Sequence, residues 1–438
     1  MKAASASTTL LRSSGSKGSV GRHLSTVYGE NATKILPLEV DATNTATRDQ
    51  QLVRVLREIC PSFFETSHNY HEQSSATHGV ERRDDHTMTI QPLLGGLSNQ
   101  LFVWKRPDSS SSVLFRIHPR SEVEIVNRET ENRILVMLSQ QGDAPLFYGR
   151  FANGRVEEFY DNHRPLSCRE MNTYAAEIAA LLARLHRKHV PPQVLTPTDD
   201  GHLWTRLEEW FRMASQQQPE QRRITTDSTL MLERLQFEWT WLQSVLRPTQ
   251  SRCTTKAING TADAAPTQGT PAQQAQDFLD EIVLTHMDCQ SLNLLRPDSN
   301  DDGNESASSK AGPLRLIDFE YAGLNPRAAD IANTFCEFCD MNNMRADYER
   351  EYPSEDVQNE FFRAYLKDLE CSSLLAGQQE EFLTAMRLHV GKYTLLSHLG
   401  WAVWSLVQHN LSDIEFDYLA YAQHRMDGYE LFKAKFWR

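Results

Sequence analysis

The sequence of 438 residues lacks several features that define whole classes of protein. No run approaches the roughly 18 consecutive apolar residues that a membrane-spanning helix requires, so we predict no integral membrane segment. Basic residues are in deficit, since 45 Lys and Arg stand against 58 Asp and Glu and give a formal net charge of −13. This balance disfavours binding to nucleic acid or to an anionic membrane surface, because both depend on basic patches.

A disulfide framework is also missing from the sequence. Its seven cysteines are odd in number and irregular in spacing. Cys336 and Cys339 form a CxxC pair that suggests zinc or redox chemistry, but a structural zinc site needs four ligands. No second CxxC or HxxxH pair supplies them, so we predict two reduced thiols on a buried helix.

The N-terminal segment contains almost no acidic residues. Its first 29 residues are rich in Ser, Thr and Gly, with four Lys or Arg and no acid before Glu30. Such a composition is typical of a mitochondrial transit peptide and also of a disordered tail. Because it shows no clear apolar face, we predict a disordered tail over 1–33 and a cytoplasmic protein.

Hydrophobic periodicity divides the rest of the chain into a strand-rich part and a helix-rich part. We predict an N-lobe over 34–157, built mainly as an antiparallel sheet, and a helical C-lobe over 158–438, with a cleft between them. The predicted strands are Thr87–Leu94, Gln100–Trp104, Val113–Ile117, Leu146–Phe151, Arg155–Phe159 and Leu314–Ile317. The predicted helices are Gln51–Ile59, Glu122–Leu138, Tyr174–His186, Leu203–Ala214 and Leu230–Leu246.

Two stretches interrupt the helical part. Residues 250–276 are rich in Thr, Ala, Gln and Pro, and residues 298–312 are rich in Ser and Asp. Both contain too few apolar residues for a packed core, so we predict disordered insertions.

The segment with the clearest chemistry is THMDCQSLNLL, at 285–295, with LRLIDFE following at 314–320. Phosphoryl transfer from ATP needs a carboxylate near the attacking hydroxyl and oxygen ligands for Mg²⁺. Asp288 fits the first role, while Asn293 and Asp318 fit the second, since Mg²⁺ prefers oxygen donors. An H-x-D pair alone can simply form a turn, and the strand-borne Asp318 after it is what favours a kinase.

Other parts of a phosphate site are expected upstream. The turn formed by Gly95, Gly96, Leu97, Ser98 and Asn99 lies between two predicted strands, where glycines permit close backbone approach to phosphate. On the next strand, Arg116 is the expected phosphate cation, since arginine can bind phosphate bidentately. An acid on the following helix should hold that cation, and Glu131 is our candidate, with Glu129 as the alternative.

Several motifs together resemble the choline/ethanolamine kinase family. They include IDFEYAGLNPRAADIANTFCEF at 317–338 and SHLGWAVWSLVQHNLSDIEFDYLAYAQHRMDGY at 397–429, with GGLSNQLF, LFRI, THMDCQSLN and YPSE in matching order. The resemblance runs from about Lys34 to the C-terminus and excludes only the tail and the two insertions. The family commonly has Asn where Met287 stands, and Tyr-Gly where this chain has His118-Pro119.

The resemblance implies a eukaryotic-protein-kinase-like α+β fold with ATP between its lobes. By it, Asp288 would be the base or would orient the hydroxyl, with Asn293 and Asp318 holding Mg²⁺ and Arg116 contacting phosphates. The backbone around 157–159 would hold the adenine, and Gln290 would steady the loop or the substrate. The expected activity is the first step of the CDP-ethanolamine route to phosphatidylethanolamine, and a homodimer is possible.

The C-terminal segment supplies aromatic residues for a cationic substrate. Trp401 and Trp404 share one helical face, and the pattern alone favours a buried aromatic helix. The resemblance implies that aromatic residues line the ammonium site, which fits a quaternary ammonium that cannot donate hydrogen bonds. These residues are Tyr321, Trp401, Trp404, Phe416 and Tyr421.

The choice between choline and ethanolamine depends on one position. Choline kinases carry an aromatic run after the C-E-[WF] element, whereas Asn342 stands where one tyrosine is expected. A polar residue there suits a primary ammonium, whose N–H donors need acceptors, so we favour ethanolamine over choline or dual specificity. Two other hypotheses are an aminoglycoside-type kinase and a pseudokinase that binds without turnover.

Overall fold

A computed structural model describes residues 34–64, 89–93, 99–105, 112–118, 125–195, 201–216, 226–247, 269–298, 312–341, 344, 346–375, 379–412 and 414–437. The chain divides into two compact units. The first takes its residues from Met1–Pro119 and Phe147–Glu158, and the second from Arg120–Leu146 and Phe159–Arg438. The segment 120–146, which the prediction placed in the N-lobe, therefore belongs to the second unit.

The first unit contains a mainly antiparallel sheet of six strands with the order β1-β5-β6-β4-β3-β2. Strand β1 pairs in parallel with β5, whereas the pairs β2–β3, β3–β4 and β5–β6 are antiparallel. Helix α1, over Thr45–Ile59, packs on β5, where a Cβ on Gly149 would lie 2.7 Å from the Ile59 side chain. The strands are β1 Ile35–Leu36, β2 Thr89–Leu93, β3 Gln100–Lys105, β4 Ser112–Ile117, β5 Phe147–Phe151 and β6 Gly154–Phe159.

The second unit is mainly helical. Two small sheets accompany its helices, one with the order β10-β9-β7 and one formed by β11 and β8. The helices are α2 Arg128–Gln141, α3 Cys168–Thr173, α4 Ala175–His186, α5 His202–Ser215, α6 Thr226–Leu246, α7 Pro271–Leu279, α8 Arg327–Cys336, α9 Tyr348–Glu351, α10 Glu355–Asp368, α11 Gln379–Leu411 and α12 Tyr418–Phe436. The strands are β7 His163–Pro165, β8 Ile282–Thr285, β9 Leu294–Pro297, β10 Arg315–Leu316 and β11 Gly323–Pro326.

Helix α11 lies at the centre of this unit. It contains 33 residues and packs against α5, α6, α7, α8 and α12. Leu395, Leu399 and Val403 on it are fully buried, and burial of such apolar surface is the main stabilising term in folding. None of the described helices combines the length and apolar character needed to cross a membrane.

Three predicted boundaries differ from the structure by five residues or more. Helix α1 begins at Thr45 rather than at the predicted Gln51. Helix α2 begins at Arg128 rather than Glu122, because the Asn127 side chain accepts a hydrogen bond from the Thr130 N–H and caps the helix. Helix α7 begins at Pro271, inside the predicted insertion 250–276, because Thr270 caps it and Ala275 and Leu279 are buried. The tail 1–33 and most of both insertions lie outside the described residues.

Candidate active site

The loop that follows β8 is held by a buried carboxylate on helix α8. The two oxygens of Asp330 accept hydrogen bonds from the backbone N–H groups of His286 and Met287, at 2.8 and 2.7 Å. Asp330 is fully buried, so these bonds are shielded from competing water. Helix α8 therefore holds in place the two backbone positions that precede Asp288.

A second set of hydrogen bonds holds Asp330 in turn. Arg327 donates to the Tyr365 hydroxyl at 2.9 Å, which leaves the hydroxyl hydrogen to bond His186 Nδ1. His186 Nε2 then carries a hydrogen and donates to Asp330 at 2.9 Å. Burial lowers the pKa of His186, which keeps the ring neutral and this arrangement stable. Sequence reasoning missed these residues, because only tertiary packing brings α4, α8 and α10 together.

This arrangement predicts that His186 positions the loop. We expect His186→Met to remove the donor to Asp330, destabilise the fold by about 1–3 kcal/mol and lower kcat about ten-fold, with KM nearly unchanged. His186→Gln can still donate to Asp330 and accept from Tyr365, so it should retain most of kcat. Steady-state kinetics with melting temperatures tests this, and an unchanged kcat in a folded Met variant would contradict it.

His286 connects the loop to the segment that carries Asp318. Its Nδ1 accepts the Asp288 N–H at 3.2 Å, so its Nε2 bears the hydrogen and donates to the Ile317 carbonyl at 3.0 Å. Burial lowers the pKa of His286, consistent with a neutral ring. The ring thus couples the backbone of Asp288 to the residue that precedes Asp318.

Asp288 is buried and has neutral hydrogen-bond donors beside it. The Asn293 amide donates to its side chain and to its backbone carbonyl, both at 2.9 Å, and Gln290 approaches its two oxygens at 3.3 and 3.4 Å. Burial raises the pKa of Asp288 well above its usual range, and the negative fields of Glu337, Asp318 and Glu320 add to this effect. A carboxylate so placed is suited to accept a proton.

Three carboxylates form a group that could hold a metal ion. Oxygens of Glu131, Asp318 and Glu320 lie within 4.8 Å of one another. Arg128 donates to Glu131 at 2.9 Å and to Glu320 at 3.1 Å. Among the described residues, this is the group of three acidic side chains whose oxygens lie close enough together to bind one ion. Oxygen donors are the ligands that Mg²⁺ prefers. Glu320 was not predicted, although it stands two residues after Asp318.

Asp318 has an unusual backbone conformation. Its φ is 66°, in the left-handed region that non-glycine residues rarely adopt, and Met287 has φ 64°. Such conformations cost free energy and are concentrated at functional sites. Both residues thus turn the chain sharply where the two motifs lie.

The predicted phosphate residues of the first unit are partly described. Arg116 is buried and lies 3.4 Å from Glu157, which also bonds Arg155 at 2.8 Å. Asn99 is buried and contacts His118 Nδ1 at 2.9 Å. Gly95, Gly96 and Ser98 lie outside the described residues. The expected pairing of Arg116 with Glu131 joins residues of different units and stays a prediction.

The structure brings the five predicted aromatic residues together in one cluster. Trp404 Nε1 donates to the Tyr321 hydroxyl at 2.9 Å, and the Tyr321 and Trp401 ring centroids are 5.1 Å apart. The ring centroid of Tyr421 lies 6.5 Å from that of Trp404 and 5.7 Å from that of Phe416. Edge-to-face contacts between aromatic rings, as here, stabilise the cluster beyond the burial of its surface.

A buried ion pair borders this cluster and was not predicted. Arg425 donates to Glu337 at 2.7 Å and to the Tyr421 hydroxyl at 2.6 Å. Glu337 is itself buried and close enough to raise the pKa of Asp288. The motif Cys336-Glu337-Phe338 was visible in the sequence, but its carboxylate is brought to Asp288 only by the fold. Asn342, by contrast, lies outside the described residues.

The CxxC pair takes no part in the metal group. Cys336 and Cys339 are buried free thiols, as expected, and burial raises the pKa of both. Cys336 Sγ lies 3.7 Å from His398 Nε2. Cys336 ends helix α8, whereas Cys339 follows it, so the two thiols do not share a helix as predicted.

The comparisons with known proteins agree on fold and family. A choline kinase of Cryptosporidium parvum superposes with a TM-score of 0.65 at 23% identity, covering 88% of this chain and 96% of that one. Probable choline kinase 3 of Arabidopsis thaliana is 27% identical over 368 residues, covering 80% of this chain and 88% of that protein. Ethanolamine kinase 2 of Rattus norvegicus is 28% identical over 343 residues, covering 78% and 74%.

The superposition confirms the predicted α+β fold of the protein-kinase type. The model of the choline/ethanolamine kinase family matches residues 90–430, well over half of the sequence. The chain therefore belongs to the choline/ethanolamine kinase family, and the resemblance drawn from its motifs is confirmed.

Proposed function

We propose that this enzyme transfers the γ-phosphoryl group of ATP to the hydroxyl of ethanolamine and releases phosphoethanolamine. The observation that carries the proposal is the position of Asp288, which is buried, held by the Asn293 amide and close to Glu337. Choline, or both amines, is the alternative, since relatives bear both names.

In the proposed reaction Asp288 orients the substrate hydroxyl and accepts its proton as the oxygen attacks phosphorus. The raised pKa supports this role, because a carboxylate with higher proton affinity is a stronger base. Asn293 and Gln290 hold the carboxylate in place. The Asn293 amide nitrogen points to Asp288, so its oxygen is the atom that could ligate a metal.

We assign Mg²⁺ to Asp318, Asn293 and the newly recognised Glu320, with Glu131 close by. When bound, the ion neutralises charge on the phosphates of ATP. We keep Arg116 and the turn at 95–99 as the proposed phosphate contacts, and the backbone around 157–159 as the proposed adenine contact.

The aromatic cluster and Glu337 are the proposed amine site. Rings attract any ammonium group, and a quaternary ammonium has only rings and distant charges to bind it. Ethanolamine also carries three N–H donors, which would be costly to bury without acceptors. Glu337 is a buried acceptor at the edge of the cluster, which supports ethanolamine.

A coupled assay of ADP release with ethanolamine, choline and kanamycin tests the proposal. We expect turnover with the two amino alcohols and none with kanamycin. Turnover with kanamycin alone would favour an aminoglycoside-type kinase, and no turnover with any acceptor would favour a binding protein without catalysis.

One substitution tests how the chain distinguishes the two amines. We expect Asn342→Tyr to shift the kcat/KM ratio toward choline by about three- to ten-fold, because a ring would then face the methyl groups. Competition kinetics measures the ratio directly. Asn342→Gln keeps a polar side chain and should hold the wild-type ratio; a Tyr variant with that same ratio would place residue 342 outside the pocket.

We also propose a homodimer and, from the composition of the N-terminal segment, a cytoplasmic location. Light scattering after size exclusion would measure the mass in solution. A mass of about 100 kDa would support the dimer, since one chain has a mass of 50.1 kDa.

A further inference from the structure

Helix α5 places one arginine against the aromatic cluster. Arg206 donates from Nη1 to the Tyr321 carbonyl at 2.7 Å, and its guanidinium carbon lies 5.7 Å from the centre of the Tyr321 ring. It forms no ion pair with any described residue. This contrasts with Arg212 on the same helix, which is exposed and paired with Glu209.

Arg206 also borders a cavity next to the candidate active site. The cavity is lined by Trp210, Tyr321, Asn333 and Trp401, as well as by Met287 of the catalytic loop. Burial lowers the pKa of Arg206 to about 10, with the fields of Tyr321 and Glu320 opposing that shift. The guanidinium is therefore charged at neutral pH, yet no carboxylate among the described residues is in direct contact with it.

We infer that Arg206 is a specificity-determining residue that disfavours quaternary ammonium substrates relative to primary ones. The inference rests on the proposed function, since it assumes that an amino alcohol binds beside Tyr321. Arg206 was not predicted as a site residue. Its role follows from the position of a cation that forms no ion pair within the described part of the chain.

The ring of Tyr321 is already in contact with a cation. The negative face of an aromatic ring attracts cations, and a guanidinium over that ring already uses part of this attraction. The rings of Trp210 and Trp401 are in T-shaped contact with Tyr321, with ring centroids 6.0 and 5.1 Å away, and Tyr321 is nearly fully buried. Little of its electron-rich surface is left for a second cation.

The two substrates lose different amounts from this arrangement. Both carry one positive charge, so direct repulsion by Arg206 acts on both alike. Choline has no N–H donors and depends on aromatic surface, whereas ethanolamine can donate hydrogen bonds to Glu337. Weakening the contribution of Tyr321 therefore costs choline more, which favours ethanolamine.

The test is the ratio of kcat/KM for choline to that for ethanolamine in three variants. Arg206→Gln removes the charge while keeping a donor and much of the side-chain length, and we expect the ratio to rise about three- to ten-fold. Arg206→Lys keeps the charge, so the ratio in this variant should stay closer to the wild-type value. Arg212→Gln removes a charge from the same helix outside the cavity and should leave the ratio unchanged.

Outcomes separate this inference from the proposed function. An unchanged ratio in an active, folded Arg206→Gln enzyme overturns the role of Arg206, and so does an equal rise in Arg212→Gln. Failure of the wild-type enzyme to phosphorylate either amine overturns the proposed function instead. If Arg206→Gln does not fold, Arg206→Met can replace it, because Met keeps an apolar stem packed on Tyr321. We expect the same rise of the ratio in that variant.

Discussion

Asp288→Asn should lower kcat by about two to four orders of magnitude, the range that general base catalysis contributes. The variant keeps the shape of the side chain but cannot accept a proton from the substrate hydroxyl. KM for ATP should change little, because the amide makes no proposed contact with the nucleotide. Initial rates of ADP release with saturating ethanolamine measure the effect.

The same substitution should not weaken the fold. Asp288 is buried near Glu337, Asp318 and Glu320, and burial already disfavours its charged form. A neutral amide removes this repulsion, so we expect the melting temperature to stay level or to rise. Asp356→Asn on α10, an exposed position whose side chain bonds to no described residue, serves as the matched control and should keep full activity. A loss of less than ten-fold in Asp288→Asn would mean that another group is the base.

Asp318→Asn should produce the second large loss. Neutralising this carboxylate removes a charged ligand from the group with Glu131 and Glu320, and both kcat and metal affinity should fall. We expect kcat to drop by more than a hundred-fold at ordinary Mg²⁺ and to recover in part at high Mg²⁺. Asn is a better choice than Ala here, because Asn tolerates the left-handed φ of 66° at this position.

A magnesium titration distinguishes a lost ligand from a damaged site. Glu320→Gln should shift the Mg²⁺ dependence in the same direction, since Glu320 belongs to the same group. The control Asp356→Asn should follow the wild-type curve. If Asp318→Asn loses activity without any change in Mg²⁺ dependence, Asp318 is not a metal ligand.

The sequence predicted well what depends on local pattern. Alternating apolar residues located strands such as Gln100–Lys105 and Ser112–Ile117 to within one or two positions. The spacing of apolar residues did the same for the helices at His202–Ser215 and Thr226–Leu246, apart from a few terminal residues. Family motifs also marked Asp288 and Asp318, because such motifs keep their order along the chain.

Sequence reasoning failed where the function of a residue depends on distant partners. His186 and Asp330 are 144 positions apart, and Arg425 and Glu337 are 88 apart, so no local pattern links them. In the sequence Arg206 is one of several charged residues on an amphipathic helix, and only the fold shows that it lies over the Tyr321 ring. Capping by Asn127 and Thr270 explains two of the boundary errors, because each cap depends on a single side-chain hydrogen bond that the apolar pattern does not reveal.

The most direct test of the account is to identify the product and compare the two substrates in one experiment. Purified enzyme, ATP and Mg²⁺ would be incubated with equimolar ethanolamine and choline, and ³¹P NMR would follow both phosphomonoesters with time. We predict that phosphoethanolamine and ADP form together and that phosphoethanolamine accumulates faster than phosphocholine. Faster phosphocholine would contradict the substrate preference, and ADP without either phosphomonoester would contradict the proposed function itself.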